Sequence, residues 1–93
     1  MPALEPEKIN ESLKTLAGWS FAANAISKTY SFKNYYETMA FVNAIAFLAH
    51  RADHHPDLEV GYNKCKVTYS THSEGGVTQK DVDAAKKVES LHS

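Results

Sequence analysis

Apolar residues recur with two different periods along the chain, and each change of period marks a boundary between predicted elements. A spacing of three to four residues, typical of an amphipathic helix, predicts helices over residues 5–17, 35 to 51 or 53, and 80–91. Alternation of apolar and polar residues, or a short aromatic-rich run, predicts strands over residues 19–22, 26–32, 58–62 and 65–71. The resulting order, α-β-β-α-β-β-α, predicts an α+β fold of one domain (residues 1–93), in which a single four-stranded antiparallel sheet carries three helices on one face.

Turn and cap residues support these boundaries. Asn34 followed by Glu37 has the chemistry that starts a helix, and Thr78 is expected to cap the last helix. Pro56 is expected to end the long central helix, because the residue before a proline is pushed away from helical geometry. Asn63-Lys64 is interpreted as the tight turn between the last two strands. Each pair of strands should therefore form a hairpin.

The central helix is apolar over nearly its whole surface. Its residues form two neighbouring apolar stripes, Tyr36-Ala40-Ala44-Phe47 and Phe41-Ile45-Leu48. A helix of this kind must be covered on more than one side, and one sheet in a 93-residue chain can cover only one. We therefore predict that this helix, or a sheet edge beside it, is used in a homo-oligomer. Dimer and tetramer are both compatible with the sequence.

The overall composition excludes several classes of protein. With 10 Lys and Arg against 11 Asp and Glu, the net charge is −1 and there is no basic run, so direct binding to nucleic acid or to an anionic membrane is not expected. The N-terminus lacks the features of a signal peptide, and the most apolar run, residues 39–49, is too short to span a membrane. The only cysteine, Cys65, excludes an internal disulfide and any site built from several cysteines. We expect a cytoplasmic protein.

Histidine is the residue with the most uneven distribution. All five histidines lie in the second half of the chain, at His50, His54, His55, His72 and His92. Imidazole exchanges protons near neutral pH, and His54-His55 lies where the central helix is predicted to break into a loop, which is where functional side chains are usually presented. We interpret the cluster as an acid–base site, with a surface cluster that has no function as the alternative. His92, near the C-terminus, is expected to be exposed and inert.

A metal site is a further interpretation of the same cluster. His50 and His54 are four residues apart, so on a helix they would share a face as two zinc ligands do. The glutamate that follows the first ligand in the zinc-protease motif is absent, because Arg51, Ala52 and Asp53 fill the interval. His50 also suits a helix C-terminus on electrostatic grounds alone. A small metal-binding protein therefore remains an alternative, and the preferred interpretation includes no metal ligand.

The spacing of these residues resembles the signature of a known family. His54-His55-Pro56 is followed by the aromatic Tyr62, by His72 and by Asp81, and this pattern resembles that of the pterin-4a-carbinolamine dehydratases. Three further segments are similar to the family: Gly18-Trp19, Tyr62-Asn63-Lys64 and Ser70-Thr71-His72. Where many members carry a glutamate, this chain has His50, so the resemblance gives that position no carboxylate role.

The resemblance implies an enzyme that dehydrates 4a-hydroxytetrahydropterin (4a-hydroxytetrahydrobiopterin) to quinonoid dihydropterin and water, recycling the cofactor of aromatic amino-acid hydroxylases. The pterin would be the substrate, and no cofactor would be required. His54, His55 and His72 would be the catalytic histidines: His54 and His72 would transfer protons, either one being the acid, and His55 would mainly position the pterin. Further substrate contacts are expected from Pro56, Thr71, Ser73 and Glu74.

Two residues of the resemblance also have purely structural explanations. Thr78-x-x-Asp81 is a capping pattern, so Asp81 is expected to be mainly structural. The family pattern instead implies that Asp81 orients a histidine or shapes the pocket. Trp19 would support the site by flanking the pterin, although a tryptophan that opens a strand more often belongs to the core.

The resemblance also implies a function of another class. Animal members of the family serve as a dimerisation cofactor of a homeodomain transcription factor, so a protein-interaction module with a nuclear location is an alternative to the enzyme. The apolar central helix is the surface that such a role would use, and self-association explains that surface equally well.

Overall fold

The computed structural model describes residues 2–92 and contains, within them, three α-helices and one antiparallel sheet in the predicted order. The helices are α1 (Pro6–Leu13), α2 (Tyr35–Ala52) and α3 (Gln79–His92). The strands are β1 (Ser20–Ala22), β2 (Ala25–Ser31), β3 (Asp57–Val60) and β4 (Lys64–Tyr69), paired in the order β1-β2-β4-β3. A short 3₁₀ turn, His72–Glu74, precedes α3. The predicted fold class is confirmed.

The core lies between one face of the sheet and the helices. Alternate strand residues point into it and are almost completely buried, as are apolar residues of each helix: Ile9, Ile26, Tyr30, Ile45, Cys65, Val67, Tyr69, Val82, Ala85 and Val88. Burial raises the pKa of the Cys65 thiol, as expected for a structural cysteine. The intervening strand residues, which include Ser27, Thr29 and Thr68, face the opposite, polar side of the sheet.

The start of α2 agrees with its predicted cap. The side-chain oxygen of Asn34 accepts a hydrogen bond of 2.9 Å from the Glu37 amide. The Glu37 carboxylate reaches back and accepts one of 3.0 Å from the Lys33 amide. Two otherwise unpaired amides at the helix start are therefore satisfied by local side chains.

The end of α2 differs in its cause from the prediction. Asp53 adopts a left-handed conformation (φ 51°), and the amides of Asp53 and His54 donate to the carbonyls of His50 (3.3 Å) and Ala49 (3.1 Å). This pair of hydrogen bonds is a Schellman motif, which ends a helix by reversing the backbone. The helix therefore ends before Pro56 acts on it, and the expectation that Pro56 ends α2 is wrong.

The last hairpin reverses earlier than predicted. β3 ends at Val60, and the Gly61 amide donates to the Lys64 carbonyl over 2.8 Å to close the turn. Tyr62, predicted to lie in the strand, lies in this turn and is 65% exposed. A ladder that pairs Val60 with Cys65 leaves Tyr62 without a strand partner.

The strand that precedes His72, β4, is also shorter than predicted. Thr71 leaves the ladder and forms a single bridge with Gly76. His72 therefore begins the 3₁₀ turn and does not end β4. The loop between Thr71 and Gly76 is closed on itself by this bridge, which holds His72 at a defined position.

The first helix ends four residues before its predicted limit at residue 17. After Leu13 the amides of Thr15 and Leu16 bond to carbonyls three residues back, and the Thr15 hydroxyl also donates to the Ser12 carbonyl. Such local side-chain bonds compete with helical hydrogen bonds. Leu16 nevertheless remains in the core, with 3% exposure.

Candidate active site

A cavity of about 250 Å³ lies where the end of α2, the end of β4 and the start of α3 meet. Its lining consists mainly of polar side chains: Asp53, His54, His55, Ser70, Thr71, His72, Ser73 and Lys80. His54 and His55 follow α2, whereas His72 follows β4. The fold therefore brings together the three histidines that the sequence singled out.

The His54 side chain is held by a polar contact at Nε2 and by stacking of its ring. Nε2 of His54 lies 2.6 Å from Oδ1 of Asp81. The imidazole stacks on the Tyr69 ring with a centroid separation of 5.6 Å and an interplanar angle of 29°. A carboxylate oxygen can only accept a hydrogen bond, so it favours the form of His54 with its hydrogen on Nε2. Nδ1 is then the nitrogen that can exchange a proton with a ligand.

Asp81 is completely buried and is bound on both of its carboxylate oxygens. Oδ2 accepts hydrogen bonds from the Thr71 hydroxyl (2.8 Å) and from the Thr78 amide (2.9 Å), while Oδ1 contacts His54. The bond to the Thr78 amide caps α3. The same side chain therefore makes both of the contacts considered from the sequence, the cap and the contact to a histidine.

A chain of hydrogen bonds supports the Asp81 carboxylate. The one hydroxyl hydrogen of Thr71 is donated to Asp81, so the Thr78 hydroxyl is the donor in the 2.9 Å contact between the two threonines. Thr78 Oγ1 in turn accepts from the Lys80 amide over 3.2 Å. The Thr71 hydroxyl is thus directed into the protein, contrary to the expectation that it hydrogen-bonds the substrate.

Tyr69 supports the site through its ring, and its phenol stays protonated. Burial, together with the nearby charge of Asp81, raises the pKa of Tyr69 to about 12. At neutral pH Tyr69 is therefore an uncharged stacking partner of His54 rather than an acid or base.

The other expected contact residues divide into two groups. His55, His72 and Ser73 line the cavity, and all three are exposed. Pro56 and Glu74 do not line it. Pro56 directs the chain away into β3, and Glu74 is the exposed end of the 3₁₀ turn.

Trp19 lies in the core and not at the cavity. It is 6% exposed, packs against Tyr30 with a centroid separation of 6.3 Å, and donates through Nε1 to Glu89 over 3.2 Å. Lys28 and Tyr30 also donate to this carboxylate. Burial alone would raise the pKa of Glu89, but these hydrogen bonds outweigh it and hold the pKa below its usual range.

His92 is exposed, as expected, but it is not isolated. It lies in the last turn of α3, with its ring edge-on to Tyr30 (4.9 Å between centroids) and Phe32 (5.4 Å). The expectation of an inert residue at a frayed end overlooked this aromatic packing, since the partners come from β2 and the segment that follows it.

Three residues that line the cavity were missing from the expected set of contacts. Asp53 and Ser70 adjoin residues that were expected, so their proximity in sequence was the available signal. Lys80 adjoins Asp81, which the family pattern links to the site, so the same signal was available for it. Its side chain, at the start of α3, lines the cavity together with the histidines.

The geometry does not support the helical metal pair. Because α2 ends at Ala52 and Asp53 reverses the backbone, His50 and His54 do not share a helix face. Within residues 2–92, no group of three or more His, Cys, Asp or Glu side chains is arranged to hold a metal ion. None of the helices in this part of the chain has the length and apolarity needed to cross a membrane.

Comparison with known proteins assigns the chain to a family. The model of the family described as Pterin 4 alpha carbinolamine dehydratase matches residues 2–91. A candidate pterin-4-alpha-carbinolamine dehydratase of Nitrosomonas europaea is 55% identical over 92 residues, covering 98% of this chain and 81% of that protein. A protein of the same description from Nitrosospira multiformis is 52% identical over 91 residues, covering 98% and 80%.

Solved structures agree with this assignment. The crystal structure of a transcriptional coactivator/pterin dehydratase from Brucella melitensis matches with a TM-score of 0.94 and 34% identity, over 98% of this chain and 99% of that one. A pterin dehydratase-like protein identified as a RuBisCO assembly factor in the alpha-carboxysome shares the fold, with a TM-score of 0.66 and 23% identity over 80% and 86% of the two chains. The chain belongs to the pterin-4a-carbinolamine dehydratase family.

Proposed function

We propose that this protein is a hydro-lyase that dehydrates 4a-hydroxytetrahydropterins to quinonoid dihydropterins. The observation that carries the proposal is the convergence of His54, His55 and His72 on one cavity, with His54 bound to the buried carboxylate of Asp81. Imidazoles that are held beside a polar cavity are suited to general acid–base catalysis near neutral pH.

The reaction needs one acid and one base. A base removes the proton from N5 of the pterin, the N5=C4a double bond forms, and the C4a–O bond breaks as an acid protonates the leaving hydroxyl to give water. His54 and His72 are the proposed pair, and either assignment of acid and base satisfies the proton balance. Proton exchange with solvent then restores both residues. Each proton transfer contributes about 10²–10⁴-fold to the rate.

Asp81 acts in this proposal as a positioning residue. By accepting the hydrogen of His54 Nε2, it leaves Nδ1 as the reactive nitrogen in both protonation states. Nδ1 carries a lone pair in the neutral imidazole and a proton in the imidazolium, so the same atom serves as base or as acid. Stacking on Tyr69 holds the ring plane.

The remaining polar groups of the cavity would position the ring of the pterin. His55 is proposed mainly to orient it, while Ser73 and Lys80 offer a hydroxyl and an ammonium as donors to its carbonyl oxygen. In this role the pterin is the substrate and the reaction requires no further cofactor. The enzyme would recycle the pterin cofactor of an aromatic amino-acid hydroxylase in the cytoplasm.

The test is a dehydration assay with 4a-hydroxytetrahydropterin generated by an aromatic amino-acid hydroxylase. Its decay is followed by ultraviolet absorbance with and without the purified protein. We expect decay faster than the spontaneous reaction in proportion to protein concentration. A decay rate that is independent of the protein would overturn the proposal.

We also propose that the protein self-associates through α2. Tyr36 and Phe47 lie on the stripe of α2 that faces away from the sheet and are 82% and 61% exposed. A groove beside this stripe extends to Leu91, which is 40% exposed. Large exposed apolar groups on one face mark an association surface.

An interaction module is the second candidate function, since the Brucella melitensis relative is described as a transcriptional coactivator as well as a pterin dehydratase. The same α2 face would bind the partner. Substituting His54 and His72 would abolish dehydration and spare partner binding, which separates the two functions.

A further inference from the structure

A cavity of about 180 Å³ lies between α2 and α3, next to the cavity that contains the histidines. His54 and Lys80 line both cavities, so the two adjoin at these side chains. The cavity between the helices, called here the α2–α3 cavity, has no part in the proposed dehydration.

Small residues on both helices leave this space open. Leu48 and Ala52, four residues apart, face it from one side of α2. On α3 the spacing of Lys80, Ala84 and Lys87 places them on one face, with the alanine in the middle. Neither alanine methyl group is large enough to close the gap between the helices. The floor is the ring of Tyr69, which is 1% exposed.

The size and lining of the α2–α3 cavity suit one six-membered ring. An engineered apolar cavity of about 150 Å³ binds benzene, and this cavity is slightly larger. Its inner walls are the alkyl groups of Leu48, Ala52 and Ala84 and the rings of His54 and Tyr69. Aromatic rings pack favourably against one another in offset or edge-on arrangements, so an aromatic occupant gains more here than an aliphatic one.

The outer rim of the cavity carries an excess of positive charge. Lys80 and Lys87 are exposed, and within residues 2–92 neither ammonium group has a hydrogen-bond or ion-pair partner. Asp83, the carboxylate of the lining, already accepts a hydrogen bond of 2.9 Å from Gln79. Lysine stems lie along apolar surface while the charged ends stay in water. The rim therefore favours an anion above an apolar interior.

We propose that the α2–α3 cavity binds a small aromatic monocarboxylate, with its ring between Ala52 and Ala84 and its carboxylate at Lys80 and Lys87. Lys80 is also a proposed donor to the pterin, so an occupant that engages it weakens binding of the substrate next door. This second statement rests on the proposed function, whereas the binding site does not.

The binding test uses phenylacetate and protein that carries ¹³C-labelled alanine methyl groups. We expect nuclear Overhauser contacts between the ring protons of phenylacetate and the methyl groups of Ala52 and Ala84, with a Kd of about 1 mM for a ligand of this size. Phenylacetamide has the same shape without the charge and should bind more weakly. Lys87→Gln should weaken phenylacetate binding by roughly 2- to 5-fold, the effect of one exposed ion pair. Lys86→Gln, exposed and outside the cavity, is the matched control.

Substitutions at Ala84 test the space itself. Ala84→Leu fills the cavity and should abolish phenylacetate binding, whereas Ala84→Ser keeps the space and should retain it. Absence of contacts to both alanine methyl groups in the wild type, or equal affinities for phenylacetate and phenylacetamide, would overturn the proposal even if Ala84→Leu does not fold. Binding that His72→Ala removes and Ala84→Leu retains would place the acid in the histidine cavity and would also overturn it.

The kinetic test measures dehydration of 4a-hydroxytetrahydropterin with and without saturating phenylacetate. We expect KM to rise by roughly 2- to 5-fold in the wild type and to stay unchanged in Ala84→Leu. An unchanged wild-type KM, in protein that shows the alanine contacts, would refute the effect on the substrate and leave the binding site supported. The same contacts in a protein that accelerates no dehydration would refute the proposed function alone.

Discussion

Nε2 of His54 lies 2.6 Å from Oδ1 of Asp81, and the second oxygen of that carboxylate accepts the Thr78 amide at the start of α3. One buried side chain therefore holds a candidate catalytic ring and caps a helix. Because the carboxylate has no exposure to solvent, its charge is stabilised only by these partners and Thr71. Substitutions at either end of the His54–Asp81 contact should act on both activity and folding.

Asp81→Asn tests the positioning role. An amide can present either its oxygen or its NH2 group to His54, so the hydrogen of the imidazole is no longer confined to Nε2. We expect turnover to fall by roughly 10²–10⁴-fold, as in other sites where the wrong tautomer is stabilised. The ¹⁵N chemical shifts of His54 should report the altered tautomer. Glu89→Gln is the matched control, because it removes the charge of a hydrogen-bonded carboxylate of α3 outside the cavity. A folded Asp81→Asn protein with wild-type turnover and unchanged shifts would contradict the role.

Substitution of the two proton-transfer histidines should separate catalysis from stability. His72→Ala alters an exposed residue, so we expect turnover to fall about 10²–10⁴-fold with an unchanged Tm. His54→Ala should in addition lower Tm, because it leaves Oδ1 of the buried Asp81 carboxylate without its partner, while Oδ2 keeps its bonds to Thr71 and Thr78. His54→Gln retains a donor for Asp81 and should lose turnover with a smaller loss of Tm. His50→Ala, outside the cavity, is the control, and near-normal turnover in the His54 and His72 variants would refute the assignment.

Tyr69→Phe tests the protonation state of the Tyr69 phenol, whose ring stacks on His54. The pKa of Tyr69 is raised from 10.0 to about 12, so the unfolded chain releases this proton at lower pH than the native protein. Native stability from this group is therefore complete below pH 10 and is lost as the pH rises towards 12, at about 1.4 kcal/mol for each pH unit. Tyr69→Phe keeps the ring and should lose less stability over this interval, while its turnover at pH 7 stays within about twofold of wild type.

Urea unfolding at a series of pH values from 7 to 12 measures this difference. The pKa of Tyr30 is also raised, by burial and by the hydrogen bond to Glu89, and contributes equally in both proteins. Parallel stability profiles for wild type and Tyr69→Phe would show that the Tyr69 phenol ionises at an ordinary pH.

The exposed face of α2 predicts a concentration-dependent oligomer. Phe47→Glu places a charge in the apolar stripe and should shift the wild-type dimer or tetramer towards the monomer, as measured by light scattering at micromolar concentration. Lys86→Glu adds a carboxylate at an exposed position of α3 and serves as the control. A wild-type protein that is monomeric under these conditions would contradict the prediction.

The elements that were predictable from sequence are those whose signals are local. The Asn34 side chain accepts a hydrogen bond from the Glu37 amide, and the Glu37 side chain accepts one from the Lys33 amide. The start of α2 therefore follows from neighbouring residues. The end of α2 at Ala52 lies within the predicted limits of 51 to 53, but its cause did not follow from the sequence, because the left-handed conformation of Asp53 is uncommon for a residue other than glycine. The tight turn between β3 and β4 also lies earlier than predicted, since the Gly61 amide closes it on the Lys64 carbonyl.

The site shows the same division. The capping pattern Thr78-x-x-Asp81 is local and was recognised, whereas the contact between Asp81 and His54 joins α3 to the end of α2 and depends on how the two helices pack. A further cavity of about 520 Å³, on the polar face of the sheet, left no signal in the sequence. Ser27 and Thr68 read as ordinary polar residues of a solvent-facing sheet, and only the strand order places their hydroxyls beside His72.

Hydrogen exchange of the Thr78 amide reports on local opening of the candidate active site. This amide hydrogen is bonded to Asp81 and buried, so it exchanges with deuterated solvent only when the first turn of α3 opens. The same opening releases the carboxylate from His54. The exchange rate of this single hydrogen therefore measures the fraction of time in which the folded protein is without its oriented histidine, independently of any substrate.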